Sequence, residues 1–164
     1  MKLLWGKGLL ALLIKGTSLA AIVAVASTVS IIAQAATMTE ALVQNYVAAM
    51  KSSANSQSIN QVARLVSDDA LISLSRKGKS TSLDKDAYLK LLQNSWNDTS
   101  NYNYDISVDN IVITGTQAKA NVTTNESWVK NGQKVSFVTT SRVTLTLSTG
   151  NAVLLRAVSQ VTIN

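Results

Sequence analysis

Between Gln117 and Ile163 apolar and polar residues alternate with a period of two, in three segments broken at Asn131-Gly132 and at Thr149-Gly150-Asn151. That pattern predicts an antiparallel meander. Asn and Gly tolerate the positive φ that a two-residue type I′ turn requires at both central positions, so Asn131-Gly132 fixes the first register. Trp128 then faces Val135, Glu126 faces Phe137, Thr124 faces Thr139, Val122 faces Ser141 and Ala120 faces Val143. At the second break a three-residue loop keeps Leu147/Val153, Leu145/Leu155, Val143/Ala157, Ser141/Ser159 and Phe137/Ile163 on that same, mostly apolar face. A two-residue loop would turn every one of these side chains to the other side.

Upstream the period changes to that of helices. Thr37-Met38-Thr39-Glu40 has the spacing of a capping box, and the stripe Leu42, Tyr46, Met50, flanked by Val43 and Val47, predicts a helix running to about Lys51. Ser58 caps a short second helix with Ile59, Val62, Leu65 and Val66 inward, ended by Asp68-Asp69. Ala70 to Leu74 reads as a short strand, Ser75 to Ser80 as a basic turn, and Asp84 as the N-cap of a third helix carrying Tyr88, Leu89, Leu92 and Trp96 on one side. Tyr102, Tyr104, Ile106 and Val108 share one parity, whereas Ile111 and Ile113 share the other, so one extra residue must be absorbed near Asp109-Asn110 as a β-bulge. The predicted fold is α+β: a bent antiparallel sheet of four long strands plus a short strand, covered on its concave face by three N-terminal helices.

Composition changes this picture mainly at the N-terminus. Lys2, Lys7 and Lys15, the apolar stretch Leu19 to Ala33 and the A-x-A site Ala33-Gln34-Ala35 predict an export signal over residues 1–35, cleaved between Ala35 and Ala36. The alternative is a retained membrane anchor, against which Lys15 and Gly16 interrupt an apolar run shorter than the roughly 20 residues of a spanning helix. The expected mature protein is a single domain, residues 36–164, periplasmic or secreted. It touches a membrane only if the leading segment is kept. Three of the 15 Lys and Arg residues lie in that segment, leaving 12 against 9 acidic residues, too small an excess to point to a nucleic-acid partner. The chain has no Cys and no His, which removes thiolate nucleophiles, disulfides, the commonest metal ligands and every Ser-His arrangement. No metal and no cofactor are expected.

Three stretches resemble the nuclear transport factor 2-like superfamily, with its SnoaL-like and ketosteroid isomerase-like members. They are Leu65-Val66-Ser67-Asp68-Asp69-Ala70-Leu71-Ile72, the capped helix start Asp84-Lys85-Asp86-Ala87-Tyr88, and Ile111-Val112-Ile113-Thr114-Gly115-Thr116-Gln117-Ala118. The resemblance implies a cone of sheet and helices with a pocket inside, on a fold that serves isomerases, cyclases and non-catalytic domains alike. The catalytic aspartates of ketosteroid isomerase have no counterparts here, since the inner strand positions carry Ser, Thr and Ala.

The inward face of the meander passes from Leu145 and Leu147 through Ser141, Ser159, Thr124 and Thr139 to Glu126, between Phe137 and Trp128. Small hydroxylated side chains on an apolar face suit either a pocket with a few polar groups or close helix packing. Glu126, one of two glutamates, is the weak candidate for a catalytic acid or base, because aromatic neighbours favour its neutral form. Tyr46, Tyr88, Tyr102 and Tyr104 offer phenols. The expected ligand-binding set is Tyr46, Tyr88, Trp96, Thr124, Glu126, Trp128, Phe137, Thr139, Ser141 and Ser159. The basic turn Arg76-Lys77-Lys79 suits an anion or, more simply, a solvated tip. The outer face, with Val138, Thr140, Arg142, Thr144, Leu154 and Val158, is poor in charge and suits a homodimer contact, as in several members of the superfamily. Three functions stay open: a pocket domain binding a small, largely apolar ligand without turnover, an isomerase- or cyclase-type enzyme using Glu126 with a tyrosine, and a membrane-tethered scaffold.

Overall fold

In the computed structural model, which describes residues 36–97 and 99–163, the first helix starts at a later threonine than the capping-box signature indicates. α1 spans Glu40–Asn55, and Thr39, not Thr37, is its N-cap, its hydroxyl accepting the Leu42 N–H at 3.2 Å. Met38 is the reason. Its side chain is buried with Val43 in the core and its N–H donates to the Gly115 carbonyl at 3.0 Å. This pair of residues before and inside the helix has the spacing of a hydrophobic staple, which holds Thr37 and Met38 outside it. No Gly or Pro interrupts the stretch after Lys51, and the helix continues to Asn55, burying Val43, Tyr46, Met50 and Ala54 at helical spacing. The export segment and its cleavage site lie outside the described residues.

α2 (Ile59–Arg64) ends before the aspartates, and β1 (Val66–Arg76) runs through them. Asp68 and Asp69 occupy the irregular stretch of β1 between Val66 and Leu71, where both are exposed, so they interrupt a strand and do not end a helix. β2 (Lys79–Leu83) pairs back on β1 through Lys77-Gly78, both at positive φ. Its sequence KSTSL has no apolar alternation, because it is an exposed edge that buries almost nothing. α3 (Lys85–Trp96) starts as expected, with the Asp84 carboxylate accepting the Ala87 N–H at 2.8 Å.

β3 (Ser100–Thr114), β4 (Gln117–Lys130), β5 (Gln133–Ser148) and β6 (Asn151–Ile163) complete a six-stranded sheet of order β2-β1-β6-β5-β4-β3. β1 runs parallel to β6, Ile72 beside Ala157, so the sheet is mixed and holds one strand more than expected. The bulge near Asp109-Asn110 is present: the β3–β4 register shifts between Asp109 and Val112, and Asn110 has φ 51°. The β4–β5 register follows the Asn131-Gly132 turn as expected, with Glu126 opposite Phe137 and Trp128 opposite Val135.

The second turn differs. Thr149 and Gly150, at φ 49° and 82°, form a two-residue loop closed by Ser148 and Asn151. Leu145 therefore faces Leu154, while from Thr144/Arg156 onward the pairing, including Val143/Ala157, Ser141/Ser159 and Phe137/Ile163, is the expected one. Leu155 is the extra residue between these registers, a bulge that absorbs the slip. Leu154, expected on the outer face, is buried in its place, and Leu147 opposes Ala152.

The core fills the space between α1, α3 and the concave sheet face, around Val43, Val62, Ile72, Val143 and Leu145. At the β3 margin the Asn55 side chain bonds both backbone groups of Tyr104, donating to its carbonyl at 2.8 Å and accepting its N–H at 2.9 Å. Lys51 adds a salt bridge to Asp105 at 2.6 Å.

Candidate functional site

The hairpin end of the concave face collects aromatic side chains from three elements. α3 stops at Asn97, which leaves the helical region at ψ 136°, and Trp96 is thus the last inward residue of its stripe. Tyr102 shares the inward parity of β3, and the Asn131-Gly132 register brings Glu126, Trp128 and Phe137 to the same face. The rings form a continuous ladder. Trp96 meets Tyr102 edge-on at 6.0 Å, Tyr102 stacks on Trp128 at 6.2 Å, and Trp128 lies 4.9 Å from Phe137. The Arg76 guanidinium caps the far end, 5.2 Å from the Phe137 ring centre.

Glu126 sits within this ladder, half-buried, and accepts the Tyr102 hydroxyl at 2.8 Å. Burial raises its carboxyl above the ordinary carboxylate range, with the Tyr102 hydrogen bond pulling the other way. Burial also raises the phenols of Tyr46, Tyr88, Tyr102 and Tyr104, and the charge of Glu126 adds to the rise at Tyr88, Tyr102 and Tyr104. The Trp96 indole N–H opposes the rise at Tyr102, yet it is buried and makes no hydrogen bond among the described residues. The ladder thus holds a carboxyl with one protein partner and an indole donor with none.

The expected ligand-binding residues divide into two groups. Trp96, Glu126, Trp128 and Phe137 come together in the ladder, and Tyr88 and Tyr46 lie deeper, within electrostatic reach of one another. Ser141 and Ser159 do not join them: their hydroxyls bond each other at 2.8 Å across β5 and β6. Thr124, buried, faces Thr139 and Ile106 next to the core. Tyr102, one of four interchangeable phenols in the sequence, is the residue that touches Glu126. Its signal was its parity with Tyr104 and Ile106, and nothing in the pattern separated it from Tyr104. Arg76 looked like part of a solvated turn and bears on the ladder instead.

A depression of about 470 Å³ lies elsewhere, over the opposite sheet face, lined by Ser73, Asn121, Thr140, Arg142 and Gln160 among others. It contains no aromatic side chain, and its Asp109 carboxylate is occupied by Asn110 and Asn121. The ladder, where an acid meets apolar walls, is the better site chemically. Among the described residues no three His, Cys, Asp or Glu side chains gather to hold a metal, and no helix is long and apolar enough to cross a membrane.

Glu126→Gln keeps the shape and removes the charge. A carboxyl raised in the folded state stabilises the fold below its ordinary value of 4.5, and that stabilisation is lost as pH rises from there through the folded value. Asp68 and Asp105, held low by hydrogen bonds and charge from Lys85 and Lys51, act with the opposite sign but are common to both proteins. The melting temperature of Glu126→Gln minus that of the wild type is therefore expected to increase between pH 4 and pH 8. A difference independent of pH would place the carboxyl in open water.

The bent mixed sheet and its three covering helices have the nuclear transport factor 2-like fold. Within that class, the chain belongs to the family described as "Putative lumazine-binding", whose model matches residues 34–132. Solved structures agree in fold. A conserved protein from Planctomyces limnophilus superposes with a TM-score of 0.67 at 13% identity, covering 76% of this chain and 97% of its own. A ketosteroid isomerase-like protein from Erwinia carotovora atroseptica gives 0.60 at 14% identity, covering 74% and 94%. A nuclear transport factor 2-like protein of unknown function from Silicibacter pomeroyi gives 0.54 at 13% identity, covering 74% and 94%. No curated protein matches the chain.

Proposed function

We propose that this domain binds a small, largely apolar molecule at the aromatic end of the cone, without turning it over, as part of an exported protein. The observation that carries the reading is Glu126, a half-buried carboxyl with a single protein hydrogen bond inside a wall of Tyr102, Trp128 and Phe137. Apolar walls with one or two convergent polar groups are what small-molecule sites consist of. The description of the family as lumazine-binding supports a small ligand, and the A-x-A site at Ala33-Gln34-Ala35, beside the start of the family match at residue 34, supports export. Native mass spectrometry of protein purified from its own compartment tests both parts. The expected spectrum shows a chain beginning at Ala36 with a retained small molecule that Glu126→Gln binds more weakly. A ligand-free mass, with tryptophan fluorescence that no small-molecule extract alters, would sink the binding reading. Retention of residues 1–35 would favour the tethered scaffold.

The hydrogen bond between Tyr102 and Glu126 favours one other reading, an acid–base enzyme. In that case Glu126→Gln would still bind but lose turnover by roughly 10²- to 10⁴-fold.

The outer sheet face is proposed as the contact of a homodimer. Val158 is 58% exposed there and Leu71 48%, beside Thr140, Arg142 and Thr144. Val158→Lys would place like charges in a desolvated contact and is expected to give a folded monomer by light scattering. A dimer mass unchanged by the substitution, or a monomeric wild type, would remove the proposal.

A further inference from the structure

The depression over the outer sheet face, about 470 Å³, lacks what an apolar molecule needs and carries what a hydroxylated one does. Its floor is two neighbouring rows that run across the strands. Register puts Ser73, Val158, Arg142, Asn121 and Asp109 side by side from β1 to β3 in the first row. Ser75, Gln160, Thr140 and Thr123 follow in the second. Residues two positions apart on a strand share a face, so these side chains all leave the sheet on the side away from the core. Arg142 is the one cation among the lining residues and Asp109 the one acid. They do not pair. Two strand spacings of about 4.8 Å lie between them, and the Asp109 Oδ1 already accepts the Asn110 and Asn121 amides at 2.8 and 3.2 Å. Neither salt bridge among the described residues involves Arg142, since these join Lys51 to Asp105 and Lys85 to Asp68. Lys119 and Arg156 lie diagonal to it on the flanking strands, about 7–8 Å away, and add positive charge to its surroundings. Arg156 spends its guanidinium on the Asp69 and Leu155 carbonyls, at 2.6 and 2.7 Å. Val158, beside Arg142, is 58% exposed, an apolar patch in a polar floor.

We propose that this depression is a second ligand site, for a hydroxylated organic anion of the sugar-acid class, its carboxylate taken by the Arg142 guanidinium. The planar guanidinium fork matches a carboxylate with two parallel hydrogen bonds. The amide of Gln160 and the hydroxyls of Thr140 and Thr123 then meet the ligand's own hydroxyls, and its C–H face rests on Val158. The volume of about 470 Å³ is within the range of small-molecule sites, about 300–1,000 Å³. The site is independent of the aromatic end, which lies on the other face of the sheet. It shares its own face with the proposed dimer contact, so the ligand and a second copy exclude each other at Arg142.

The test uses the purified full chain with D-glucuronate and two controls. D-glucose has the same ring with a hydroxymethyl group in place of the carboxylate, and acetate has the carboxylate without the ring. The side-chain amide signals of Asn121 and Gln160 and the indole signals of Trp96 and Trp128 are followed by NMR. Glucuronate is expected to move the amide signals, leave the indole signals in place, and bind at least about fivefold more tightly than either control, as one bidentate charged pair at an exposed site allows. The preference over glucose shrinks as salt is raised. Arg142→Gln, a change at an exposed position, is expected to erase that preference, and Thr140→Val to weaken glucuronate and glucose alike. Acetate binding as tightly as glucuronate overturns the sugar and leaves an adventitious ion only. Equal binding of glucose and glucuronate, or a preference that survives Arg142→Gln, overturns the role of Arg142. No amide shift at millimolar glucuronate, with the fold intact by circular dichroism, overturns the site, whatever the aromatic end binds. A dimer that stays whole by light scattering when saturated with glucuronate overturns its placement on this face.

Discussion

Trp96→Ala is expected to cost about 3–5 kcal/mol of folding free energy, the range for removing a buried large aromatic side chain. Trp96 is 5% exposed, ends α3, and holds Tyr102 edge-on at 6.0 Å. Its removal leaves a void where helix, sheet and ladder meet, and frees Tyr102 to leave Glu126. Urea denaturation monitored by far-ultraviolet circular dichroism measures the cost. Trp96→Phe separates packing from polarity, since it keeps a ring against Tyr102 while deleting a buried N–H that has no hydrogen-bond partner among the described residues. It is expected to cost well under half as much, because a buried unpaired donor carries a penalty of about 1–3 kcal/mol that its removal relieves. A cost below about 1 kcal/mol for Trp96→Ala would match a surface site and contradict the burial seen here.

Leu145→Ala should cost a comparable amount, about 2–5 kcal/mol, from the lost transfer energy and the cavity left behind. Leu145 is 1% exposed, near the C-terminal end of β5. Its larger value is diagnostic, because it faces Leu154 through the two-residue Thr149-Gly150 turn and would face Leu155 through a three-residue one. Double-mutant cycles distinguish the two: residues in contact couple by about 0.5–3 kcal/mol, whereas independent sites add. Coupling is expected between Leu145→Ala and Leu154→Ala, and a smaller one with Leu155→Ala. The reverse order would restore the longer loop and remove the bulge.

That turn shows where the sequence is legible and where it is not. Asn131-Gly132 lies between two clean alternations, and a single turn type satisfies both, so the facing pairs of β4 and β5 can be read residue by residue. Thr149-Gly150-Asn151 admits two loop lengths. The alternation after it favours one, but a bulge at Leu155 reconciles the other with the same pairs further along the strands. A bulge costs little and leaves no mark in a local apolar pattern. β2 was unreadable for another reason, since an exposed edge strand of Lys, Ser and Thr needs no hydrophobic side. The parallel contact of β1 with β6 joins segments separated by α3 and four strands, which no local signal encodes. In the candidate site, Glu126 could be placed because register alone determines its face. Tyr102 could not be told from Tyr104, because the hydrogen bond runs diagonally between strands while Tyr104 is the direct partner of Glu126. Ser141 and Ser159 have the hydroxyls that a pocket would use, yet each spends its hydroxyl on the other.

Asn55 carries a consequence for how this domain can assemble. Its amide presents a donor and an acceptor to Tyr104 in the arrangement an adjoining strand would present, and β3 is a terminal strand of the sheet. A terminal strand with free backbone groups is a template for adding another chain, and such growth is self-propagating. Here a side chain from the domain's own first helix occupies the template at mid-strand, pinned further by Lys51 on Asp105. Sheet extension across β3 is thereby blocked at Tyr104.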